Sequence, residues 1–266
     1  MPAPKLNFIF FGFFAILTPM EETKTIGPGE IKNQFHGTGH LHPLTQIMSE
    51  MADIFREMGF RVADGPEKET EWHNFDALNI PANHPARAMQ DTFWLKPTEG
   101  RELLRTHMTS VSLRELAKKQ LPLRVVSPGR VFRNEATDAT HEAQFYQFDG
   151  LAIDRPGKIT MAELKGVLST LYKKLFGENI EIRFRASFFS FVEPGIEVDI
   201  KWGDRWLEVC GAGLLHPNVF TVAGLNPNEW QGLAFGSTVD RLAMIKYGIE
   251  DIRHFYQGDM RFLKQF

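Results

Sequence analysis

Residues 129–154 read GRVFRNEATDATHEAQFYQFDGLAID and predict a long β-hairpin at the centre of the fold. Two alternating runs flank a polar loop at residues 137–141, and side chains two residues apart on a strand share a face. The shared faces would carry Val131, Arg133 and Glu135 on the first arm, and Phe145, Gln147, Asp149 and Leu151 on the second. Such a surface could bind a phosphate, a base and an ammonium group together. The competing interpretation is an ordinary amphipathic hairpin whose charged face is solvated.

The size and composition of the chain are those of a globular protein. Its 266 residues fit one large domain or two small ones, and hydrophobic residues make up 43% of them. The net charge of −3 gives no overall attraction to nucleic acid, so any such contact would need a local patch or a partner. The single cysteine, Cys210, excludes an internal disulfide and a multi-cysteine metal site, and it fits a cytoplasmic location.

The first part of the chain differs from the rest. Residues 8–17, FIFFGFFAIL, are apolar but too few to span a bilayer, and no clear signal-peptide cleavage site follows them. We therefore expect no membrane span, and a leader over residues 1–37 that is either a docking segment or a poorly ordered tail. Regular patterning begins after this leader and predicts one folded domain over residues 38–266.

Helical and strand patterns alternate from residue 41 onward. An apolar stripe predicts a first helix from Pro43 that ends at Gly59, followed by a strand at residues 60–62. Further helices are predicted at residues 110–121, 164–176, 239–247, 251–255 and 259–266. Further strands are predicted at residues 91–95, 103–107, 123–127, 180–192, 196–202, 206–215 and 232–236. Helices around a mostly antiparallel sheet give an α+β architecture.

Four residues outside the hairpin could contribute to a binding site. Phe189 and Phe191 alternate on an otherwise polar strand face, which predicts either the floor of a pocket for an aromatic ligand or a strand end that enters the core. Arg241 lies in the first turns of a predicted helix, where a guanidinium and the helix N-terminus make an anion site. His107 lies at a predicted strand-to-helix junction, from which it could face a ligand.

Four carboxylates lie close together on two neighbouring predicted strands: Glu193, Glu197, Asp199 and Glu208. Carboxylates in such a group need either a divalent cation such as Mg²⁺ or arginine partners. A solvated acidic sheet face is the remaining interpretation, and the pattern alone leaves these possibilities open.

Several segments between residues 38 and 266 resemble one family, the alpha subunits of bacterial-type phenylalanine–tRNA ligase, which are class II aminoacyl-tRNA synthetases. Besides the hairpin, the matching segments include NFDALNIP at 74–81, DTFW at 91–94, LLRTH at 103–107, FFSFVEPG at 188–195 and GLAFG at 232–236. The resemblance implies the class II catalytic fold, with ATP and phenylalanine bound on its antiparallel sheet. The expected reaction forms phenylalanyl-adenylate and pyrophosphate, and then transfers the phenylalanyl group to tRNA(Phe).

The resemblance also implies a nucleotide site with three catalytic residues. Arg133 would bind the α-phosphate of ATP and the substrate carboxylate, Arg241 the γ-phosphate, and His141 the phosphate chain. Phe145 would stack on adenine and Glu135 would lie near the adenine amino group. The implied ATP-binding residues are therefore Arg133, Glu135, His141, Phe145, Gly236 and Arg241.

A phenylalanine site and a metal site are implied in the same way. The residues implied around the substrate amino group are His107, Thr109, Gln147 and Asp149. Phe189 and Phe191 would contact the substrate ring, with Val192 and Ala234 setting the depth of the pocket. Glu193 would take part in a Mg²⁺ site shared with a partner subunit.

The chain departs from the family pattern at several places. Thr238 stands where the last motif has glycine, so its side chain could crowd ATP. Asp149 and Asp240 replace glutamate, which shortens each side chain by one methylene. Residues 108–110, Met-Thr-Ser, replace Thr-Ser-Pro, which bears on the hydroxyl contact to the substrate. The N-terminal arm with which the family contacts tRNA has no counterpart before residue 38, so we expect an N-terminally truncated member.

Three functions are compatible with the sequence. The first is the catalytic alpha subunit, working with a larger beta subunit in a heterotetramer of two alpha and two beta chains. The second is a paralogue that activates phenylalanine without that partner, as a homodimer formed through residues 41–66. The third is a non-catalytic synthetase-like binding or regulatory protein whose ATP site is altered by Thr238. The first two are favoured because the chain retains the implied site residues Arg133, Gln147, Phe189, Phe191 and Arg241.

Overall fold

The computed structural model describes residues 39–88, 91–96 and 101–266. Residues His40–Phe266 form one compact unit. The leader predicted over residues 1–37 lies outside the described residues. Within the part of the chain that is described, no helix has the length and apolar character needed to cross a membrane.

The main sheet of the domain has seven strands. The strands in the described residues are β1 Arg61–Val62, β2 Lys68–Thr70, β3 Glu102–Leu104, β4 Leu123–Phe132, β5 Gln144–Asp154, β6 Ile182–Phe189, β7 Val192–Trp202, β8 Arg205–Leu215 and β9 Gln231–Thr238. The main sheet has the order β1-β4-β5-β9-β8-β7-β6, and β2 and β3 form a separate two-stranded sheet. β1 and β4 are parallel, and the other neighbouring pairs of the main sheet are antiparallel. The predicted mostly antiparallel sheet is therefore confirmed.

Strands β4 and β5 form the hairpin predicted from the sequence. Ser127 on β4 pairs with Asp149 on β5, and Asp149 also pairs with Gly236 on β9. The hairpin is thus extended by a third strand on the side of β5. Because alternate residues of a strand point to opposite faces, Gln147 and Asp149 face one side of the sheet and Phe148 faces the other.

Helices pack against the Phe148 face of the sheet. The described helices are α1 Pro43–Glu57, α2 Glu71–Asn74, α3 Thr109–Ala117, α4 Met161–Phe176, α5 Pro217–Val222, α6 Val239–Tyr247 and α7 Met260–Leu263. Residues of α1, α4 and α6 share one hydrophobic cluster with this face. The ring of Phe55 on α1 lies 5.3 Å from that of Phe148 and 5.1 Å from that of Phe235 on β9. Helices α1, α4 and α6 therefore cover the Phe148 face of the sheet. On the opposite face, residues of α3 and α5 share a second cluster with Leu151, and the part of that face around Asp149 is left to form a cavity.

The first helix confirms the predicted apolar stripe. Leu44, Ile47, Met51 and Phe55 recur at helical spacing, and all four side chains are buried. Gly59 follows the helix with φ +83°, a left-handed conformation that glycine adopts without steric cost. The pattern and its stop signal were therefore sufficient to place this element.

The strand predicted at residues 91–95 is wrong. In the described part of this segment the sheet pairing is a single bridge, between Trp94 and Leu103. The hydroxyl of Thr92 donates to the carbonyl of Ala86 at 2.7 Å, which fixes a turn just before the bridge. The extended run is therefore too short to build a ladder.

Several other element boundaries also differ from the prediction. The strand predicted at residues 180–192 is two strands, because the chain turns at residues 190–191 and Phe189 pairs with Val192. Alternation of side chains continues through so short a turn, so the period alone did not reveal it. The strand predicted at 103–107 covers Glu102–Leu104, and α3 ends at Ala117 rather than at residue 121. The two C-terminal helices are a 3-10 turn, Ile252–Phe255, and the short α7.

Candidate active site

A cavity of about 740 Å³ lies on the Asp149 face of the sheet. The hairpin, β9 and the start of α6 contribute to its walls. Of the predicted site residues, those that line it are Arg133, Glu135, His141, Phe145, Gly236, Arg241, His107, Thr109, Gln147, Asp149, Phe189 and Phe191. Val192, Ala234 and Glu193 lie outside this lining. The fold therefore brings most of the predicted residues together from segments that are distant in the sequence.

Arg133 lies just beyond the first arm of the hairpin. Its Nε donates to the carbonyl of Thr106 at 3.3 Å, and its guanidinium carbon lies 5.1 Å from the centre of the Phe145 ring. Burial is the main cause that lowers the pKa of Arg133, but a guanidinium stays protonated in proteins. No ion pair joins Arg133 to a described carboxylate. Its remaining N–H groups can therefore bind an anion in the cavity.

Arg241 and Thr238 lie at the N-terminus of α6, which follows β9. Because β9 and β4 flank β5 on opposite sides, these residues lie across β5 from Arg133. Nη1 of Arg241 donates to the carbonyl of Glu208 at 2.8 Å. Thr238 is the N-cap residue, with φ −81° and ψ 110°, and its hydroxyl makes no capping hydrogen bond. The backbone at this position is thus compatible with a threonine, whose side chain lines the cavity. Compared with the family's glycine, the threonine side chain therefore reduces the space available for a ligand and does not strain the backbone.

The loop between β4 and β5 is held in place at the rim of the cavity. The carboxylate of Asp138 accepts hydrogen bonds from the N–H groups of Thr140 at 2.7 Å and His141 at 2.9 Å. Hydrogen bonds to this charged carboxylate, first of all from Thr140, lower the pKa of Asp138. The carbonyl of Ala139 accepts from the N–H of Ile252 at 3.0 Å, which ties the loop to the C-terminal 3-10 turn. These hydrogen bonds therefore hold the backbone that positions the His141 ring at the rim of the cavity.

Asp149 is a buried carboxyl with one oxygen that has no partner. Its Oδ2 accepts from the hydroxyl of Thr109 at 2.7 Å, whereas Oδ1 has no hydrogen-bond partner in the described residues. Burial raises the pKa of Asp149 to about 7. Gly236 keeps this arrangement possible, because a Cβ at that position would lie 2.8 Å from Oδ1. A ligand with a cationic donor would supply the missing hydrogen bond and favour the charged carboxylate.

His107 supplies a second unpartnered acceptor in the same cavity. Its Nε2 lies 3.0 Å from the carbonyl of Asn74, and since a carbonyl can only accept, Nε2 carries the proton. Its Nδ1 is buried without a partner in the described residues. Burial and, next, the charge of Arg133 lower the pKa of His107 to about 4, so the ring is neutral near pH 7. Gln147 Oε1 accepts from the N–H of Met108 at 3.3 Å, which leaves the side-chain amide of Gln147 as a donor.

Two phenylalanine rings line another part of the cavity. The ring centres of Phe189 and Phe191 lie 6.0 Å apart, and their planes are inclined by 35°. Gly211 allows the Phe189 ring to approach the sheet, because a Cβ at that position would lie 2.8 Å from the ring. Inclined rings at this spacing offer edges and faces to a third aromatic ring.

Val192 and Ala234 lie behind the lining, in a hydrophobic cluster that includes Phe189 and Phe191 at its margin. Ala234 pairs with Gly213, and a Cβ on that glycine would lie 2.7 Å from Val192. On β9, Ala234 shares the cavity-facing side with the residues two and four positions later. The effect of both residues on pocket depth stays a prediction.

Glu193 is exposed at the start of β7, with its carboxylate 3.5 Å from Nε2 of His216. Within the described residues, no three His, Cys, Asp or Glu side chains are arranged to hold a metal ion. The neighbouring Asp199 accepts hydrogen bonds from Arg183 and Arg185, so arginine partners balance its charge. Mg²⁺ keeps several waters and binds phosphates together with one or two carboxylates. The role of Glu193 in a magnesium site stays a prediction.

Asn74 is a structural part of the site that sequence reasoning did not single out. It is fully buried, and its side chain and backbone bond to Thr106 and His107. Thr106 and His107 lie 32 and 33 residues after Asn74 in the sequence. Helical or strand periodicity therefore gives no indication that these residues are in contact with Asn74. The only signal in the sequence was its position within NFDALNIP, one of the resembling segments. Ile252, which also lines the cavity, was missed for the same reason.

Comparison with known proteins identifies the family. The sequence profile of the family "tRNA synthetases class II core domain (F)" matches residues 29–266. A protein called phenylalanine–tRNA ligase alpha subunit from Bacillus mycoides is 49% identical, over 86% of this chain and 69% of that protein. The chain belongs to the phenylalanine–tRNA ligase alpha-subunit family.

Other members of the phenylalanine–tRNA ligase alpha-subunit family show similar identity. The protein of that name from Zymomonas mobilis is 47% identical, over 86% of this chain and 68% of the relative. The protein from Gluconacetobacter diazotrophicus is 48% identical, over 86% and 67%. Pyrrolysyl-tRNA synthetase from Desulfitobacterium hafniense superposes with a TM-score of 0.63, over 81% of this chain and 73% of that chain. At 19% identity this last likeness bears on the fold alone. The resemblance and the class II fold predicted from the sequence are thus confirmed.

Proposed function

We propose that this chain is the catalytic alpha subunit of a phenylalanine–tRNA ligase, which activates phenylalanine with ATP and transfers the phenylalanyl group to tRNA(Phe). The observation that carries the proposal is the pair of unpartnered acceptors in the cavity, Asp149 Oδ1 and His107 Nδ1. The same cavity contains the guanidinium of Arg133 and the rings of Phe189 and Phe191. An α-amino acid with an aromatic side chain has the matching ammonium, carboxylate and ring.

The proposed first step joins two anions. An oxygen of the phenylalanine carboxylate attacks the α-phosphorus of ATP, and the bond from that phosphorus to pyrophosphate breaks. Positive groups offset the repulsion and stabilise the charge that develops at phosphorus. Arg133 would bind the α-phosphate and the carboxylate, Arg241 the γ-phosphate, and His141 the phosphate chain at the rim. No side chain needs to act as a nucleophile.

The remaining nucleotide contacts follow from the walls of the cavity. Phe145 would stack on adenine, since its ring lies beside the guanidinium that is assigned to the α-phosphate. Glu135 would accept a hydrogen bond from the adenine amino group, and Gly236 would let the nucleotide approach the sheet. Mg²⁺, when bound, would neutralise phosphate charge, with Glu193 as a ligand in a site shared with a partner.

In the proposed second step a ribose hydroxyl at the end of tRNA(Phe) attacks the carbonyl carbon of the adenylate. An ester bond forms, and the bond to AMP breaks. The relatives are named alpha subunits, a name that implies a second kind of subunit in those proteins. We expect a beta subunit to complete a heterotetramer of two alpha and two beta chains in the cytoplasm. It would also supply tRNA contacts, since this chain has a net charge of −3.

Phenylalanine-dependent exchange of pyrophosphate into ATP tests this proposal and separates it from its alternatives. Exchange only in the presence of a beta subunit is the result we expect. Exchange by this chain alone would favour the partner-independent homodimer formed through residues 41–66. A folded protein with no exchange in either case would favour a non-catalytic binding or regulatory role. Tyrosine and leucine serve as competing amino acids in each assay.

Replacing Thr238 with glycine is expected to lower the KM for ATP about fivefold, with the KM for phenylalanine unchanged. The side chain of Thr238 lines the cavity beside Arg241, and relieving an overpacked contact is worth roughly 1 kcal/mol or more. Pyrophosphate exchange at varied ATP concentration measures the effect. Thr238→Ser retains the hydroxyl and is the matched control. A glycine variant whose KM for ATP is unchanged or higher would contradict the proposed crowding.

Replacing Ala234 with glycine is expected to admit para-substituted phenylalanines. Removing one methyl group deepens the cavity, and such a difference is worth about tenfold or more in kcat/KM. Exchange with para-chlorophenylalanine, relative to phenylalanine, measures the change. Ala212→Gly is the matched control, because Ala212 is equally buried but lies in the cluster on the helix-covered face. Unchanged discrimination in Ala234→Gly would show that the pocket lies elsewhere.

A further inference from the structure

Asn74 is an asparagine with an exposed fraction of 0% that joins two segments next to the cavity. Its Nδ2 donates to the hydroxyl of Thr106 at 2.9 Å, and its Oδ1 accepts from the N–H of Thr106 at 3.2 Å. Its backbone carbonyl accepts from His107 Nε2 at 3.0 Å. Asn74 itself is absent from the lining of the cavity. Any influence on a ligand must therefore pass through the residues that it holds.

The contact to His107 determines which ring nitrogen can accept a hydrogen bond. A neutral imidazole has one N–H and one acceptor nitrogen. Because the Asn74 carbonyl requires a donor, the proton lies on Nε2 and Nδ1 is left as the acceptor. Nδ1 is buried without a partner in the described residues, and His107 lines the cavity. The opposite tautomer would point an N–H into the cavity and repel an ammonium group.

The side chain of Asn74 keeps its own carbonyl in place. Both of its polar atoms bond to Thr106, the residue that precedes His107. The carbonyl of Thr106 in turn accepts from Nε of Arg133. The two hydrogen bonds from the Asn74 side chain to Thr106 act as a clamp. This clamp links the His107 ring to the guanidinium that is assigned to the substrate carboxylate. Without the Asn74 side chain, the hydrogen bond between the Asn74 backbone carbonyl and the His107 ring would lose the support of these two contacts to Thr106.

We propose that Asn74 is a positioning residue for phenylalanine binding: by clamping Thr106, it holds its carbonyl against His107 Nε2 and keeps Nδ1 as the acceptor for the substrate ammonium. This inference rests on the proposed function of the cavity. It assigns Asn74 no contact with substrate. It also predicts that the tautomer of His107 is set in the free protein, before any ligand binds.

The test combines the tautomer of His107 with steady-state kinetics. The full chain, labelled with ¹⁵N-histidine, is studied by NMR, and the His107 signals are assigned by their loss in His107→Gln. The unaltered protein is expected to show a protonated Nε2 and an unprotonated Nδ1. Asn74→Ala is expected to protonate Nδ1 in part of the population. Its KM for phenylalanine should rise about tenfold or more, the typical effect of losing a hydrogen bond to a charged group, with the KM for ATP unchanged.

Three further variants distinguish the proposed role of Asn74 from a general loss of folding. Thr106→Val removes the hydroxyl that Asn74 Nδ2 bonds and should change the tautomer and the KM in the same direction, whereas Thr106→Ser should not. Asn226→Ala is the matched control, because Asn226 also bonds through both side-chain atoms but lies in an exposed turn. The thermal unfolding midpoint of each variant shows whether it is folded.

The possible results separate this inference from the proposed function. A proton on Nδ1 in the unaltered protein would contradict the role of Asn74. The same conclusion follows if folded Asn74→Ala and Thr106→Val keep both the tautomer and the KM for phenylalanine. Because the tautomer is measured without substrate, a protonated Nε2 together with no phenylalanine-dependent exchange, even in the presence of a beta subunit, would instead contradict the proposed function.

Discussion

Replacing Arg133 with alanine is expected to reduce phenylalanine-dependent pyrophosphate exchange by about a hundredfold to a thousandfold, the effect of removing a main electrostatic contact to a transition state. Arg133 has no described ion-pair partner, and its guanidinium lies in the cavity over the Phe145 ring. It is therefore the cation best placed to approach both anions of the first step. The loss should appear in kcat as well as in kcat/KM, because the charge it stabilises is greatest in the transition state.

Arg130→Ala is the matched control for this variant. Arg130 belongs to β4, but its Nε bonds to Glu67 and it does not line the cavity. Exchange by Arg130→Ala should stay close to that of the unaltered protein. Exchange that survives in folded Arg133→Ala would mean that another group binds the α-phosphate.

Replacing Asp149 with asparagine is expected to raise the KM for phenylalanine by about tenfold to a hundredfold, since a hydrogen bond to a charged group contributes roughly 1.5–3 kcal/mol. Asparagine keeps the shape of the side chain and an acceptor for Thr109. It removes the negative charge that is proposed to face the substrate ammonium. Asp154→Asn, at the far end of the same strand, is the control, because Asp154 bonds to the N–H of Arg155 outside the cavity.

The same carboxyl predicts how phenylalanine binding depends on pH. In the free protein the pKa of Asp149 is about 7, so the group is mostly protonated below that pH. An ammonium ligand binds the carboxylate and lowers this pKa, so binding releases a proton. The dissociation constant should therefore fall by about tenfold for each pH unit up to 7 and level off above it.

Calorimetric titration with phenylalanine between about pH 5.5 and pH 8.5 measures this dependence. The Asp149→Asn variant should bind weakly with little change over the same range. If the variant and the unaltered protein show the same slope, the titrating group is not Asp149.

The elements that could be predicted from the sequence have apolar side chains at a regular spacing. Only one kind of secondary structure buries all of these side chains on one face. The stripe of α1 and the alternation of the hairpin are of this kind, and α6 was predicted with its observed bounds. The parts that could not be predicted depend on local hydrogen bonds. The Thr92 turn takes up the start of the segment predicted as a strand at residues 91–95. The two-residue turn after Phe189 divides the strand predicted at residues 180–192. Alternation alone carries no information about such turns.

For the candidate site, too, some features could be predicted from the sequence and others could not. Arg133, Gln147 and Asp149 were predicted from strand alternation and the resemblance, and they line one cavity. Periodicity could not give the state of each group, because that state depends on partners distant in the sequence. The neutral His107 with its free Nδ1, for example, depends on Asn74 and on burial.

The most direct test of the central claim, that one cavity holds phenylalanine and ATP for their reaction, is a crystal structure with a non-hydrolysable phenylalanyl-adenylate analogue. The expected result places the analogue's ammonium within hydrogen-bond distance of Asp149 Oδ1 and His107 Nδ1. The phosphoryl group should contact Arg133, adenine should lie on Phe145, and the substrate ring should lie against Phe189 and Phe191. An analogue bound with its ammonium away from Asp149 and His107, or outside this cavity, would contradict the claim.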